Sequence, residues 1–356
     1  MNIKKIKVLI VDDSAIVRDI LSRELSSCPE IEVAGTAGDP FIARNKIENE
    51  TIDVITLDIE MPRMDGLTFL RYLMKYKPLP VIIVSSLVST NNPAAIQALE
   101  LGAVDIVHKP GGPFSVGDII DDLCHKIREA ASCPISRLFS ASERLAADTR
   151  NFSPVSHTLS HISTTNKLAV IGASTGGTIA LEELFTHFTP DFPPALAVIH
   201  MPERFTASFA ERLDSLCVLH VKEAENGETV MPGTIYIAPG GYHMLVTSSG
   251  ANYIIRIKNG PKLFGQRPAV DVLFNSAAES VGKNCIAALL TGMGRDGAAG
   301  MKAIRDAGGY TIAQDEATCI VFGMPKEAIA LNGACEITPL DKIAGSILAH
   351  DKSIIN

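Results

Sequence analysis

The sequence predicts an α/β protein of two domains, each built on a parallel, doubly wound sheet. Short apolar runs alternate with amphipathic segments along most of the 356 residues. Polar residues with catalytic chemistry follow the ends of several of these runs. Residues 131–166 separate the two patterns, because they lose the periodicity and their second half holds many Ser, Thr and His residues. We therefore predict a first domain at 1–130, a linker at 131–166 and a second domain at 167–350.

The first domain contains five short apolar runs, which we predict to be the strands of one sheet. Segments of helical length connect these runs, and connections of that length are typical of parallel strands. The first connecting segment is predicted to form a helix over about 14–27, directly after the first strand. The strands are predicted at 7–11, 32–36, 54–57, 81–84 and 104–107.

Three aspartates follow two of these strands. Asp12 and Asp13 come after the first strand, and Asp58 comes after the third. Carboxylates crowded into one cleft repel each other unless a hard divalent cation neutralises them, so the cluster predicts a Mg²⁺ site. The same cation would allow Asp58 to attack a phosphoryl group, with Lys109 and Ser85 in contact with the transferred phosphate. The alternative, that the aspartates are only turn and cap residues, would leave five matched positions without an explanation.

The composition excludes several classes of protein. A net charge of −8 and a pI near 5.6 argue against broad binding to nucleic acids or anionic membranes. The seven cysteines are scattered and form no CxxC pair, which favours reduced thiols over a disulfide framework. The sequence has no signal-peptide pattern and no apolar run long enough to span a bilayer, so we expect a cytoplasmic protein that is not embedded in a membrane.

The most informative segment of the second domain is the glycine-rich turn at 172–177. It lies between an apolar strand at 167–171 and an amphipathic helix. Such a turn holds a serine out from the backbone and close to the N–H groups of a helix N-terminus, which is how hydrolases present a nucleophile. Ser174 is therefore the candidate nucleophile. By the motif alone, a nucleotide-binding turn or a plain tight turn remains open.

His200 and Asp296 follow two further predicted strands, at 196–199 and 286–290. Open α/β sheets bind their ligands outside the carboxyl ends of the strands, so Ser174, His200 and Asp296 together predict a catalytic triad at that edge. Their order along the chain is Ser, His, Asp, whereas α/β-hydrolases have Ser, Asp, His, so this is not that fold. Asp296 has an alternative role as the cap of the helix that follows it.

Four short motifs of the first domain match a known family. They are VDDS (11–14), LDIEMPRMDG (57–66), VSS (84–86) and HKP (108–110). With these motifs the domain resembles the receiver domain of two-component response regulators. The resemblance implies that Asp58 is the phosphoacceptor and that a chemotaxis histidine kinase is the phosphodonor. Ile106 stands where many receivers carry an aromatic residue, which argues against a switch based on a rotating aromatic side chain.

Seven longer motifs follow one another in the second domain, and in them it resembles the catalytic domain of the chemotaxis receptor methylesterase family, CheB. The resemblance implies a serine hydrolase that removes methyl esters from glutamate side chains of chemoreceptors during sensory adaptation, with deamidation of receptor glutamines as a second activity. Cys319 stands where a serine is common in relatives, and we expect this difference to be neutral. The motifs are GASTGG (172–177), HMPERFTASFAERLD (200–214), PGTIYIAPGGYHM (232–244), RPAVDVLFNSAA (267–278), TGMGRDGAAGM (291–301), GGYTIAQDEATC (308–319) and VFGMPKEAI (321–329).

The resemblance also implies roles for individual residues. It gives the triad Ser174, His200 and Asp296, and it assigns the methionine of TGMG, Met293, to the oxyanion hole. The backbone N–H near Thr175 is the second expected oxyanion donor. Mg²⁺ would be needed in the receiver for phosphorylation, and no cofactor would be needed for ester hydrolysis. We expect a monomer whose substrate is the methylated chemoreceptor.

Three alternatives compete with this interpretation. A transcriptional regulator would carry a basic helix-turn-helix output domain, whereas the second domain here is longer, glycine-rich and not basic. A Rossmann nucleotide binder would need the third glycine of GxGxxG and an acidic residue after the next strand, where His200 stands instead. A related hydrolase, either a glutamine deamidase or an esterase acting on another protein, stays open from the sequence.

The linker suggests how the two domains are coupled. Phe139 and Leu145 predict a short helix inside it, which favours docking over a free tether. We expect the receiver to cover the mouth of the esterase site until Asp58 is phosphorylated, because a small change in docking energy suffices to shift such a population.

Overall fold

The computed structural model describes residues 4–85, 93–110, 116–133 and 166–352. The chain divides into two compact units after Arg144, a boundary that falls within the predicted linker. The predicted helix around Phe139 and Leu145 lies outside the described residues, as does Ser86 of the VSS motif. The two units are therefore described one at a time.

The first unit alternates strands and helices throughout its described residues. Its strands are β1 (Ile6–Val11), β2 (Ile31–Ala37), β3 (Val54–Leu57), β4 (Val81–Ser85) and β5 (Asp105–His108). Its helices are α1 (Ala15–Ser26), α2 (Pro40–Asn49), α3 (Gly66–Tyr76), α4 (Pro93–Glu100) and α5 (Val116–Ser132). The strands pair in parallel in the order β2-β1-β3-β4-β5, which confirms the predicted five-stranded doubly wound sheet.

The pairing of β1 with β3 decides where the polar residues of this unit meet. Val11 lies opposite Leu57 in the register, so the residues that follow them, Asp12 and Asp58, leave the sheet side by side. The amide of Asp58 donates to the carbonyl of Val11 at 2.9 Å. Both strands are apolar and buried at this end, as expected for a parallel sheet covered on both faces.

The second unit also alternates strands and helices but adds an antiparallel pair. Its strands are β6 (Leu168–Ala173), β7 (Ala195–Ile199), β8 (His220–Glu223), β9 (Thr234–Ile237), β10 (His243–Ser249), β11 (Asn252–Lys258), β12 (Cys285–Leu289), β13 (Tyr310–Gln314) and β14 (Glu336–Thr338). Its helices are α6 (Gly177–Thr186), α7 (Phe205–Leu216), α8 (Val270–Ser280), α9 (Ala298–Asp306), α10 (Met324–Ala330) and α11 (Leu340–Lys352), with a 3₁₀ turn at Gly282–Asn284. Among the helices described in either unit, none is long and apolar enough to cross a membrane.

The large sheet of the second unit has seven strands in the order β14-β13-β12-β6-β7-β9-β8, all of them parallel. The chain starts at β6 in the middle, builds outward through β7, and later returns to build the other side from β12. The carboxyl end of β6 is therefore the point where the direction of winding reverses, and such points are where open α/β sheets bind ligands. This arrangement confirms the predicted doubly wound second domain.

Two features of the fold differ from the sequence predictions. The antiparallel pair β10–β11 was not predicted; it packs against α8 and is tied to it where the amide of Val246 donates to Ser276 Oγ at 3.0 Å. Cys28 and Cys124 form a disulfide, so the prediction of reduced thiols was wrong for this pair. The disulfide links Cys28, which lies just after α1, to Cys124 in α5, 96 positions further along the chain. The helices α1 and α5 pack against each other, and cysteine spacing alone does not reveal this contact.

Candidate active site

Three strand ends of the second unit bring Ser174, His200 and Asp296 together. Ser174 follows β6, His200 follows β7, and Asp296 lies in the loop after β12, and these three strands are neighbours in the sheet. His200 Nδ1 lies 3.0 Å from Ser174 Oγ, and His200 Nε2 lies 2.8 Å from Asp296 Oδ2. All three residues are buried, with Ser174 and His200 each 7% exposed. The arrangement has the geometry of a nucleophile, a base and an orienting carboxylate.

The imidazole of His200 is turned opposite to the arrangement in chymotrypsin-like proteases, where Nε2 faces the serine. Here Nδ1 faces Ser174 and Nε2 faces Asp296. An ionised carboxylate only accepts hydrogen bonds, so Nε2 carries the proton in the neutral imidazole and Nδ1 keeps a free electron pair for the Ser174 hydroxyl proton. The chemistry of a general base is preserved with the two ring nitrogens exchanged.

The turn that carries Ser174 is shaped by close contacts on both sides. The Ser174 amide donates to the carbonyl of Thr291 at 3.0 Å, and the Gly177 amide donates to the carbonyl of Ser174 at 2.6 Å. Gly176 has a φ of 76°, and a Cβ on it would come within 2.5 Å of Ile320. Only glycine fits this left-handed and crowded position, because a side chain would strain the backbone and collide with its neighbour.

Asp296 is held by the N-terminus of a helix that lies outside its own loop. The amides of Val270 and Asp271, at the start of α8, donate to its two carboxylate oxygens at 2.7 and 2.8 Å. Burial by itself would raise the pKa of Asp296, but His200 and the two amides outweigh it and hold that pKa below its usual value. The alternative that Asp296 caps the helix after it is wrong: that helix, α9, begins after Gly297, which offers no side-chain cap of its own. Asp296 instead caps α8.

The two predicted oxyanion residues belong to two backbone segments that both come close to Ser174. Thr175 follows Ser174 directly, and Met293 follows Gly292, where an added Cβ would fall 2.7 Å from Ser174 Cβ. The hydroxyl of Thr291 donates to the carbonyl of Thr175 at 3.0 Å and so ties the two segments together. The backbones of Thr175 and Met293 thus belong to segments that meet at Ser174, and their part in the reaction stays a prediction.

Two buried residues of the site were not found by sequence reasoning. Gln314, at the end of β13, accepts the amide of Thr291 on Oε1 at 2.7 Å and so supports the loop beside Ser174. Asp271 accepts the amide of Gly300 at 2.7 Å, which fixes the start of α9 to α8. The available signal was their place in the motifs: Asp271 is a polar residue between apolar neighbours, and Gln314 is the last residue of an apolar strand.

Asp271 and Asp296 have opposite electrostatic environments although they are neighbours. Burial raises the pKa of Asp271 to about 6, and the negative charge of Asp296 adds to this, while the amides of Gly300 and Gly297 and the charge of Arg295 oppose it. Asp296 caps α8, and Asp271, which belongs to α8, caps α9. Asp296 of the catalytic loop thus binds the first amides of α8, and Asp271 of α8 binds an amide of α9, so the two carboxylates connect the loop and both helices.

The first unit gathers its predicted residues at the carboxyl ends of its strands. Asp12, Asp13 and Asp58 offer carboxylate oxygens that lie within 4.8 Å of one another. Lys109 Nζ, after β5, lies 3.0 Å from Asp12 Oδ2 and 2.7 Å from Asp58 Oδ2. Ser85 ends β4, is buried, and accepts the Lys109 amide on its carbonyl at 2.8 Å. The structure thus brings all five residues to one edge of the sheet.

The electrostatics of this pocket fit a divalent cation. Burial raises the pKa of Asp58 to about 6, and the charge of Asp12 adds to this, although Lys109 lowers it. The Lys109 ammonium pairs with two of the three carboxylates, so an excess of negative charge remains. The donor set consists of oxygen atoms only, which is the preference of Mg²⁺ and not of softer metals. Ile106, at the position where many receivers have an aromatic residue, is buried within β5.

Comparison with protein families matches both units. Residues 169–347 match the family model described as CheB methylesterase, and residues 8–121 match the response regulator receiver domain. A solved structure, the CheB methylesterase catalytic domain of Thermotoga maritima, is similar at 41% identity with a TM-score of 0.51. The match covers 52% of this chain and 99% of that one.

Two curated relatives are similar along nearly the whole chain. The first is protein-glutamate methylesterase/protein-glutamine glutaminase 2 of Syntrophus aciditrophicus, which is 52% identical over 97% of this chain and 98% of its own length. The second is protein-glutamate methylesterase/protein-glutamine glutaminase 4 of Anaeromyxobacter dehalogenans, which is 49% identical over 97% of this chain and 95% of its own length. The similarity to these relatives thus extends across both units of this chain.

Proposed function

Because this chain belongs to the CheB methylesterase family, we propose that it removes methyl esters from glutamate side chains of chemoreceptors and deamidates receptor glutamines, under the control of receiver phosphorylation. The observation that carries the proposal is the buried hydrogen-bond chain from Ser174 through His200 to Asp296 at the reversal point of the sheet. The curated relatives bear the corresponding enzyme name over their full length.

The first half of the reaction forms an acyl-enzyme. Ser174 Oγ attacks the carbonyl carbon of the methyl ester while its proton passes to His200 Nδ1. Asp296 stabilises the imidazolium through Nε2, as its lowered pKa favours the charged carboxylate. The tetrahedral intermediate then expels the methoxy oxygen, which takes the proton from His200 and leaves as methanol.

The intermediate carries a negative oxygen that needs donors. The amides of Thr175 and Met293 are the proposed donors, because their backbones flank Ser174. Each such donor contributes about 3 kcal/mol to lowering the barrier in hydrolases. The Thr291 hydroxyl donates to the Thr175 carbonyl, and Gln314 accepts the Thr291 amide. These hydrogen bonds hold both backbone segments, so the donors are fixed before the charge develops.

The second half restores the enzyme. Water attacks the acyl carbon, gives a proton to His200 Nδ1, and the bond to Ser174 Oγ breaks as that proton returns to the serine. A glutamate carboxylate is left on the substrate. With a glutamine substrate the same steps release ammonia in place of methanol, so one triad serves both proposed activities.

In the first unit, Asp58 is the proposed phosphoacceptor. A carboxylate oxygen of Asp58 would attack the phosphorus of a phosphohistidine in a chemotaxis kinase, forming an aspartyl phosphate as the P–N bond breaks. Asp12, Asp13 and Asp58 would hold Mg²⁺, which when bound neutralises carboxylate and phosphate charge alike. Lys109 would pair with a phosphoryl oxygen, and the Ser85 hydroxyl would hydrogen-bond another.

The test is methanol release from methylated chemoreceptors by the purified chain, measured with and without a small phosphodonor. We expect hydrolysis that rises when the phosphodonor is added, and an Asp58→Asn variant in which that rise is lost. Absence of methanol release under both conditions would contradict the proposed reaction. A rise that persists in Asp58→Asn would contradict the proposed phosphoacceptor.

A further inference from the structure

A tight hairpin turn next to the catalytic loop holds an aromatic residue in an unfavourable conformation. The Leu263 amide donates to the Gln266 carbonyl at 3.0 Å and the Gln266 amide returns to the Leu263 carbonyl at 2.9 Å. The two residues between them, Phe264 and Gly265, have φ angles of 52° and 80°. Two-residue turns with both φ angles positive favour Asn-Gly, and a bulky residue at the first position is sterically strained.

Burial does not compensate for this strain, since Phe264 is 42% exposed. Its ring instead lies under the guanidinium of Arg295, whose Cζ is 4.8 Å from the ring centroid. Arg295 is itself exposed and directly precedes Asp296 of the triad. Residues held in strained backbone conformations cluster at active sites, ligand-binding sites and switch regions.

The base of this loop is fixed although its tip is exposed. His243 Nε2 donates to the Pro261 carbonyl at 2.9 Å, and Arg267 Nη1 donates to the Gly260 carbonyl at 2.6 Å. The Gly241 amide, in the loop after β9, donates to the Arg267 carbonyl at 3.1 Å. The loop then runs into α8, whose first amides hold Asp296. The tip is therefore presented from a rigid base that also forms part of the catalytic framework.

The charge at this rim is opposite to that of the chain. Arg295 over the Phe264 ring and Lys262, two residues before Phe264 in the sequence, are exposed cations, whereas the chain as a whole carries a net charge of −8. A protein substrate of the proposed reaction presents glutamates by definition, and each turnover turns a neutral ester into a carboxylate. An exposed cation one residue from Asp296 of the triad therefore complements the substrate segment, while the aromatic ring complements its apolar side chains.

We propose that Phe264 and Arg295 form a substrate-docking rim that binds the receptor segment next to the target glutamate, with an apolar side chain on Phe264 and a carboxylate on Arg295. This inference rests on the proposed methylesterase function and adds the contacts that recognise the protein substrate. The rim acts on binding of the extended substrate, and the chemistry stays with the triad. Phe264 and Arg295 are thus specificity residues.

The test compares variants of the full-length chain after treatment with a phosphodonor. Phe264→Asn suits the turn because asparagine tolerates a positive φ, so we expect a melting temperature equal to or above that of the wild type. Phe264→Tyr keeps the aromatic ring, and Arg295→Gln removes the cation. Ile337→Ala on β14, 54% exposed at the far edge of the sheet, is the matched control for loss of an exposed apolar side chain.

Two measurements separate docking from chemistry: KM and kcat for methanol release from methylated receptor, and the rate at which a small fluorophosphonate labels Ser174. We expect Phe264→Asn to raise KM about tenfold, which is the loss for one aromatic contact. Its effect on kcat and on labelling should be at least several-fold smaller. Arg295→Gln should raise KM and make it less sensitive to salt. Phe264→Tyr keeps the ring and should raise KM less than Phe264→Asn does, whereas Ile337→Ala should match the wild type in both measurements.

A wild-type KM in Phe264→Asn would overturn the inference while leaving the proposed function intact. A parallel loss of KM, kcat and labelling rate would also overturn it, because that result indicates a structural role for the loop. An effect seen only before the phosphodonor is added would assign the rim to regulation and not to substrate binding. Failure of the wild type to release methanol would instead contradict the proposed function itself.

Discussion

Both units place a buried aspartate beyond the carboxyl end of a strand in a parallel sheet, yet they give the two residues opposite properties. Asp58 follows β3 in the first unit, and burial raises its pKa to about 6. Asp296 follows β12 in the second unit, and its pKa is lowered in spite of burial. The partners make the difference: Asp58 faces a second carboxylate and one lysine, whereas Asp296 faces an imidazole and two helix amides.

This comparison shows that the position on the fold does not decide the chemistry. The pocket around Asp58 keeps an excess of negative charge and so suits a cation and the phosphate it accompanies. The site around Asp296 satisfies its carboxylate within the protein and uses it to orient and charge an imidazole. Four predictions, ordered from the largest effect to the smallest, test how independent the two sites are.

Ser174→Ala separates the two sites most completely. Loss of the nucleophile should reduce methanol release by up to about a millionfold, the loss measured for serine nucleophiles in other hydrolases. Phosphorylation of Asp58 should be unaffected, because the serine sits on a turn of the other unit. Methanol release measures the expected loss of hydrolysis, and incorporation of labelled phosphate into the same preparation measures the phosphorylation of Asp58. Near-normal hydrolysis in this variant would show that Ser174 is not the nucleophile.

Asp296→Asn tests whether the carboxylate is catalytic or only a cap for α8. An amide cannot hold the imidazole in the required tautomer, and the corresponding change in a serine protease lowers kcat about 10⁴-fold. The asparagine NH₂ group would also face a backbone N–H of α8, so we expect a lower melting temperature. The measurements are kcat for methanol release and thermal unfolding. Lost stability with retained kcat would leave capping as the only role of Asp296.

Chelation of divalent cations should affect only the first site. Addition of EDTA should reduce phosphorylation by a small phosphodonor to the background seen in Asp58→Asn, because the carboxylate cluster would lack its counter-charge. Hydrolysis by a fragment starting at residue 145 should be unchanged in the same buffer. Asp13→Asn, which removes one exposed ligand, should raise the Mg²⁺ concentration needed for half-maximal phosphorylation. Phosphorylation that persists in EDTA would contradict the proposed Mg²⁺ site.

Asp271→Asn tests the comparison within a single unit, because the pKa of Asp271 is raised like that of Asp58. Since its folded-state pKa of about 6 lies above the ordinary 3.8, its contribution favours folding at low pH and is lost as the pH rises through 6. Asp271→Asn has no carboxyl group at this position, so its free energy of unfolding does not fall in this way as the pH rises. Relative to wild type, its free energy of unfolding should rise by up to roughly 3 kcal/mol between about pH 4 and about pH 7.5. Urea unfolding at both pH values measures this difference, and a constant difference would contradict the raised pKa.

Much of the architecture was predictable because strands in parallel sheets read as continuous apolar runs. The predicted strand at 54–57 coincides with β3, and the others agree within a few residues. Residues of the two candidate sites could be named for the same reason: each follows a strand end, and neighbouring strand ends meet. The sequence therefore indicated Ser174, His200 and Asp296 as one group before any distance was known.

What could not be predicted depends on contacts between distant segments. The antiparallel pair β10–β11 carries mixed polar and apolar residues, so its pattern is weaker than that of the central strands. Asp271 lies in the first turn of a helix and looks like an ordinary capping residue until α9 is packed against it. The exchanged ring nitrogens of His200 and the pairing of Cys28 with Cys124 are likewise set only by packing.

The central place of β6 has a consequence for the synthesis of the protein on the ribosome. β6 and β7 leave the ribosome one after the other, but the other neighbour of β6 is β12, which begins only at Cys285. Until then one edge of the central strand is unpaired and apolar, and pairing over such a distance along the chain is slow to form. His200 and Asp296 are 96 residues apart, so the nascent chain has no orienting carboxylate for its base until the loop through Gly300 has left the ribosome. The triad can therefore assemble only after the chain has been synthesised through Asp296.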